Sequence, residues 1–156
     1  MLRSDAKQGL TIGLGMFAAV LFSASTIVAQ APPASGGTSA IAITSPADGA
    51  KVTLRFLIQG KVQDAKLSVY VLVKPVTTNG TWWVQPAPTL NSDGHWHVNA
   101  YFGDAEHGSG EDFKITALAS PERGLLSEGQ QLSTAELETR RQRPGVHSAI
   151  VQVSRE

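Results

Sequence analysis

The chain of 156 residues contains no cysteine. Disulfides, thiolate metal sites and a cysteine nucleophile are therefore excluded. It also has no excess of either charge, because 13 Lys and Arg residues balance 13 Asp and Glu residues. A balanced chain has no overall field that would draw it to nucleic acid or to an anionic membrane surface. The balanced charge therefore predicts no nucleic-acid partner. No Gly-x-Ser-x-Gly or comparable nucleophile motif is present. We therefore expect no catalysis and no cofactor.

The N terminus has the order of a secretory signal peptide. Arg3 and Lys7 precede an apolar run from Leu10 to Phe22, and small and polar residues continue to Ala29. This order predicts a signal peptide over residues 1–29, cleavage after Ala29, and export to the periplasm or the exterior. Because residues 10–29 also reach the roughly 20 residues of a membrane span, an uncleaved anchor is the alternative. The membrane is an expected partner only in that case.

A change in composition separates a tether from a folded domain. Residues 30–39 contain two prolines and two glycines without an apolar period, which predicts a flexible tether. Residues 40–156 have the commonest size of a single domain and are long enough to bury one core. We therefore expect one folded domain over residues 40–156.

Alternating apolar and polar residues predict strands along this domain. Seven such runs are present: Ile41–Ile43, Val52–Ile58 ended by Gly60, Lys66–Lys74, Thr81–Val84, Trp96–Phe102, Phe113–Ala119 and Val146–Ser154. Turn signals such as Asn79-Gly80 and Asp93-Gly94 stand between them. The pattern predicts an all-β fold, a two-sheet antiparallel sandwich of about seven strands. Its expected core is Val52, Leu54, Phe56, Val69, Val71, Trp96, Val98, Phe113 and Ile115.

One short helix is predicted before the last strand. Ser133 and Glu136 have the spacing of a capping box, and Leu132 and Leu137 that of a hydrophobic staple. The helix should begin at Thr134. Basic residues in the last turn and a Pro-Gly pair after it should end the helix.

Six short motifs follow one another along the domain: Ile43-Thr44-Ser45-Pro46-Ala47-Asp48-Gly49, Gln59-Gly60, Val71-Leu72-Val73-Lys74-Pro75, Trp82-Trp83-Val84-Gln85-Pro86, Asp93-Gly94-His95-Trp96 and Phe113-Lys114-Ile115-Thr116-Ala117. In this order and spacing they resemble a group of exported prokaryotic immunoglobulin-like domains, and the resemblance covers residues 41 to about 153. It implies an immunoglobulin-like β-sandwich and an extracytoplasmic setting. It implies no particular activity.

Aromatic residues are the best functional candidates. Trp82 and Trp83 are neighbours on one strand, so one of them must point away from the core. Exposed Trp and Tyr are favoured at binding surfaces, and we therefore predict ligand binding by Trp82, Trp83 and Tyr101. The expected function is a non-catalytic binding module for an envelope protein or carbohydrate. The alternative is a purely structural stalk domain, with Trp83 in the core and Trp82 packed under the Pro-rich loop.

His95 and His97 suggest a third possibility, a His-based metal site. Because Trp96 and Val98 occupy the core face of the same strand, both histidines should face solvent. They have no third ligand nearby in the sequence, so we expect no bound metal. The acidic residues around the Gly-rich loop 103–110 could bind calcium, but acidic loops between strands are commonly only solvated.

Overall fold

The computed structural model describes residues 39–76 and 80–156. The protein is mostly β, with two sheets and one short helix in this part of the chain. The elements are β1 (Ile41–Ser45), β2 (Ala50–Val52), β3 (Arg55–Val62), β4 (Ser68–Pro75), β5 (Trp82–Val84), β6 (Thr89–Leu90), β7 (His95–Tyr101), β8 (Asp112–Ser120), β9 (Gln131–Leu132), α1 (Thr134–Arg141) and β10 (His147–Arg155).

Some predictions cannot be placed on these elements. The signal segment 1–29, nearly all of the tether 30–39, and Asn79 of the predicted Asn79-Gly80 turn lie outside the described residues. Between residues 39 and 76 and between 80 and 156, no helix is long and apolar enough to cross a bilayer.

The strands form a four-stranded sheet with the order β1-β3-β7-β6 and a six-stranded sheet with the order β2-β10-β8-β4-β5-β9. The expected count of seven strands is too low, since the described residues contain ten. Two of the additional strands, β6 and β9, have only two residues each, too few to show an alternation. The expectation of purely antiparallel pairing is also corrected, because β10 pairs with β2 in parallel.

The predicted strand Val52–Ile58 is wrong, because it is two strands in different sheets. The carbonyl of Val52 accepts a hydrogen bond from the N–H of Glu156 (3.0 Å), at the end of β10. The carbonyl of Leu54 accepts one from the N–H of Phe102 (2.9 Å), at the end of β7. Since β10 and β7 belong to different sheets, the chain crosses between the sheets just after Val52.

Gly60 lies inside β3 and does not end it, contrary to the prediction. It stands directly opposite Trp96 of β7. A Cβ atom on Gly60 would overlap the indole ring of Trp96 and the carbonyl oxygen of Ala42. Trp96 is buried, so the missing side chain at position 60 makes the space for the largest side chain of the core.

The two sheets share one apolar core. Seven of the nine predicted members are buried in it: Val52, Val69, Val71, Trp96, Val98, Phe113 and Ile115. Phe56 is half-buried and packs against it. Leu54 is wrongly predicted, because it is only half-buried, outside this core, where the chain crosses between the sheets.

A second apolar cluster covers the other face of the six-stranded sheet. The sheet contributes Leu72, Trp82, Val84 and Leu118, while the segment after β8 contributes Leu125, Leu126, Leu132 and Leu137. Tyr70 fixes this segment, because its hydroxyl donates to the carbonyl of Glu122 and accepts from the N–H of Leu125, both at 3.1 Å. Strand β4, in the interior of the six-stranded sheet, is therefore covered by apolar residues on both faces.

Helix α1 begins at Thr134, which confirms the prediction. The Ser133 hydroxyl accepts a hydrogen bond from the N–H of Glu136 (3.2 Å), and the Glu136 carboxylate accepts one from the N–H of Ser133 (2.7 Å). These reciprocal bonds are a capping box. Leu132 and Leu137 are both buried in the second cluster, so the helix packs on the sheet through the two residues of the predicted staple.

Candidate functional site

The structure separates the two adjacent tryptophans. Trp82 is only 4% exposed and packs in the second cluster, whereas Trp83 is 46% exposed. Residues directly opposite each other on paired strands share a face. Trp82 is opposite Leu132 of the second cluster, and Trp83 is opposite Val73 of the shared core. Trp83 therefore lies on the core side of the sheet, at an end of the core that leaves half of its ring in solvent.

These positions correct two expectations. Trp82 has no surface to offer a ligand, so the candidate set Trp82, Trp83 and Tyr101 is reduced to Trp83 and Tyr101. The stalk alternative placed Trp83 in the core and Trp82 under the Pro-rich loop. That alternative expected both tryptophans to be covered, but Trp83 is half-exposed, and Trp82 is covered by leucines of the segment 125–137 instead of the Pro-rich loop.

Trp83 and Tyr101 line one cleft of about 350 Å³. Tyr101 is the last residue of β7 and is 45% exposed. The remaining lining residues are Val73, Pro75, Gln85, Gly103, Asp104 and Phe113. Val73 and Phe113 are buried members of the core. The cleft thus combines an apolar lining with a few polar groups, which is the usual character of a small-ligand site.

A buried glutamine holds the two aromatic residues together. The side-chain oxygen of Gln85 accepts a hydrogen bond from the N–H of Tyr101 (2.8 Å), and its side-chain nitrogen donates to the carbonyl of Trp83 (3.2 Å). Because β5 and β7 belong to different sheets, this one amide joins the sheets at the cleft. Our sequence reasoning missed Gln85. The alternation that separates Trp82 from Trp83 places Gln85 on the side of Trp83, and that signal could have found it.

Arg55 fixes the ring of Tyr101 from a neighbouring strand. The two residues are directly opposite each other on β3 and β7. The guanidinium carbon lies 5.1 Å from the centre of the phenol ring, within the range of a cation–π contact. The orientation of Tyr101 is therefore set by this contact and by the Gln85 hydrogen bond.

Asp104 places a carboxylate at the cleft. One of its oxygens accepts hydrogen bonds from the N–H groups of Glu106 and His107, both at 2.8 Å. The same oxygen lies 3.0 Å from Nδ1 of the His107 ring. The backbone N–H of Glu106 lowers the pKa of Asp104 most, followed by the backbone and then the ring of His107. Asp104 is therefore ionised at neutral pH, and N–H donors occupy one of its two oxygens.

Arg155 anchors the loop that carries Asp104. This side chain is buried, and its Nη1 donates to the carbonyl of Phe102 (2.8 Å) and to that of His107. Gly103 and Gly108 pass so close to the guanidinium that a Cβ atom at either would crowd it. The loop 103–110 is thus anchored on both sides of Asp104.

The histidines lie elsewhere. His95 and His97 are exposed on the outer face of the four-stranded sheet, and Nδ1 of His95 pairs with the Asp93 carboxylate (2.9 Å). In the part of the chain that the structure describes, no three His, Cys, Asp or Glu side chains are grouped so that they could hold a metal ion. The metal alternative therefore gains no support from these positions.

The chemistry of the cleft is that of contact and hydrogen bonding. Trp83 and Tyr101 are its two half-exposed aromatic lining residues, and Asp104 contributes a carboxylate. No family model, no curated protein and no solved structure matches the chain.

Proposed function

We propose that the protein is an exported, non-catalytic binding module, in which an immunoglobulin-like β-sandwich binds its ligand at the cleft between Trp83 and Tyr101. The observation that carries the proposal is the pair of half-exposed aromatic residues that line one cleft, with their backbones joined through buried Gln85. Large aromatic side chains left in solvent mark surfaces that a ligand covers. A backbone that is already held in place loses little conformational entropy when the ligand binds.

The strand order supports an immunoglobulin-like fold. In that fold one sheet contains strands A, B, E and D, and the other contains C, F and G. If the letters A to G are given to β1, β3, β4, β6, β7, β8 and β10, the two sheets read A-B-E-D and G-F-C. Two features depart from antibody domains: the chain has no cysteine, and its most buried tryptophan is on strand E instead of strand C.

Export is proposed from the leader pattern of residues 1–29. The location would be periplasmic or extracellular, and the partner a carbohydrate or a protein of the cell envelope. A binding role without turnover is supported by the groups at the cleft. In the described part of the chain its lining contains one carboxylate, that of Asp104, which pairs with the ring of His107. The lining contains no serine, cysteine or lysine that this pair could activate as a nucleophile.

Retention of cell-envelope components on the immobilised protein, expressed from its full-length sequence, tests the proposal. Trp83→Ala and Tyr101→Ala should each reduce retention. Ile150→Ala is the matched control, because Ile150 is 50% exposed and lies on the opposite face of the six-stranded sheet, next to Thr116. It should leave retention unchanged. Equal retention by all three variants and the wild type would show that the cleft is not the binding site.

A further inference from the structure

Resting on the proposed function, we propose that the ligand of the cleft is an uncharged glycan. One pyranose ring would stack its C–H face on Trp83, while its hydroxyl groups bond to Asp104. The chemistry of the lining supports each part of this assignment.

The indole of Trp83 is a flat surface on a backbone that is held in place. Its strand is paired on both sides, with Val73 of β4 and Gln131 of β9 directly opposite, and Gln85 binds its carbonyl. A pyranose ring with equatorial substituents presents a flat face of axial C–H groups. Such a face covers the apolar indole surface while the hydroxyl groups stay at the ring edge, where they can still form hydrogen bonds. An amphipathic ring therefore matches an exposed indole with polar neighbours.

The polar groups at the cleft suit hydroxyl groups. The Asp104 carboxylate is ionised and can only accept hydrogen bonds. One of its oxygens is already engaged by N–H donors, and its second oxygen meets only the ring of His107, at 3.2 Å. This second oxygen can accept a hydrogen bond from a hydroxyl group at the edge of a sugar ring.

Charge argues against an acidic ligand. Asp104 is the one acidic residue among the lining residues, and the described lining contains no Lys, Arg or His. Two arginines lie near the cleft, and each is already engaged: Arg55 lies over the Tyr101 ring, and Arg155 donates to the carbonyls of Phe102 and His107 beneath the loop. A carboxylated or sulfated glycan would therefore bring its charge towards the Asp104 carboxylate, with no Lys, Arg or His among the described lining residues to pair with it.

The size of the cleft suits a ligand built of small rings. At about 350 Å³ it lies near the small end of the range for small-ligand sites. A single anchor side chain of a protein would also fit, so the experiment below includes a protein partner as an outcome.

Titration calorimetry with three six-ring oligosaccharides tests the inference on the protein expressed from its full-length sequence. The probes are cellohexaose and chitohexaose, which are uncharged, and hexagalacturonate, which is anionic. At least one uncharged probe should bind about tenfold or more tightly than the anionic one. Trp83→Ala should weaken that binding by about tenfold or more, and Ile150→Ala should not change it. Asp104→Asn should reduce the ratio of the affinity for the uncharged probe to the affinity for the anionic probe.

Two results would overturn the inference: no binding of either uncharged probe by the folded wild type, or equal binding of all three. If retention of an envelope protein still depends on Trp83 in that case, the proposed function stands and only the glycan assignment fails. If neither glycans nor envelope proteins bind in a Trp83-dependent manner, the proposed function and the glycan assignment both fail.

Discussion

Trp82 and Trp83 are adjacent in sequence, yet their replacement should have opposite consequences. Trp82→Ala removes a buried side chain that contacts the leucines of the second cluster. Truncating a buried tryptophan costs about 3–5 kcal/mol of unfolding free energy. The indole N–H of Trp82 is buried without a hydrogen-bond partner in the described residues. Since removing it recovers part of a desolvation penalty of about 1–3 kcal/mol, the net loss should be about 2–4 kcal/mol.

Trp83→Ala should cost less stability than Trp82→Ala. Trp83 is 46% exposed, so the loss of unfolding free energy should be about 1–1.5 kcal/mol, half of the value for a fully buried large apolar side chain, while ligand binding falls. Trp82→Phe provides a control for the first replacement, because it keeps an aromatic ring and removes the unpaired N–H. It should be more stable than Trp82→Ala by at least about 1 kcal/mol.

Urea unfolding followed by far-UV circular dichroism measures all three variants against the wild type, since the slope of the transition shows whether the same surface is exposed. If Trp83→Ala destabilises the protein as much as Trp82→Ala does, the assignment of faces on β5 is wrong. The cleft then has no half-exposed tryptophan, and the proposal of a binding site there loses its basis.

Three further predictions concern the supports of the cleft and of the helix. Gln85→Leu leaves the N–H of Tyr101 without its acceptor and should cost about 1–3 kcal/mol in urea unfolding, with weaker ligand binding as a second result. Ser133→Ala removes the helix cap and should cost about 1 kcal/mol without changing binding; an unchanged unfolding midpoint would contradict the cap. Asp104 has a lowered pKa in the folded state. Its ionised form therefore stabilises the fold at any pH above its unfolded pKa of about 3.9. This stabilisation is lost as the pH falls through the lower pKa of the folded state. Asp104→Asn should therefore reduce the loss of stability between neutral and acidic pH, as measured by thermal melting across that range.

The sequence predicted those parts of the fold that depend on neighbours along the chain. The alternation from His95 to Tyr101 predicted the two faces of β7, and the spacing of Ser133 and Glu136 predicted the first turn of α1. The crossing of the chain between the sheets after Val52 could not be found in this way. The period of two continues unbroken across this crossing, through Val52, Leu54 and Phe56. The change of sheet is decided by the N–H groups that bond to the carbonyls of Val52 and Leu54, and these lie at the ends of β10 and β7, far along the chain.

The candidate site shows the same limit. Alternation required Trp82 and Trp83 to face opposite sides, but it could not decide which of them would be covered. That choice depends on Leu125 to Leu137, which fold back onto the Trp82 face from about fifty residues further along the chain. Asp104 belongs to the site because the loop after β7 returns to the end of β5, and this is a property of the strand order and not of any local pattern.

The space shared by Gly60 and Trp96 has an evolutionary consequence. Since the indole fills the volume that a side chain at position 60 would need, a replacement at one position changes which replacements the other can accept. Related chains that diverge from this one should therefore keep the glycine and the tryptophan together or change both, with a smaller core residue at position 96 wherever position 60 acquires a side chain. Correlated variation at these two positions would identify this pairing of β3 and β7 in sequences too distant to be aligned by their loops.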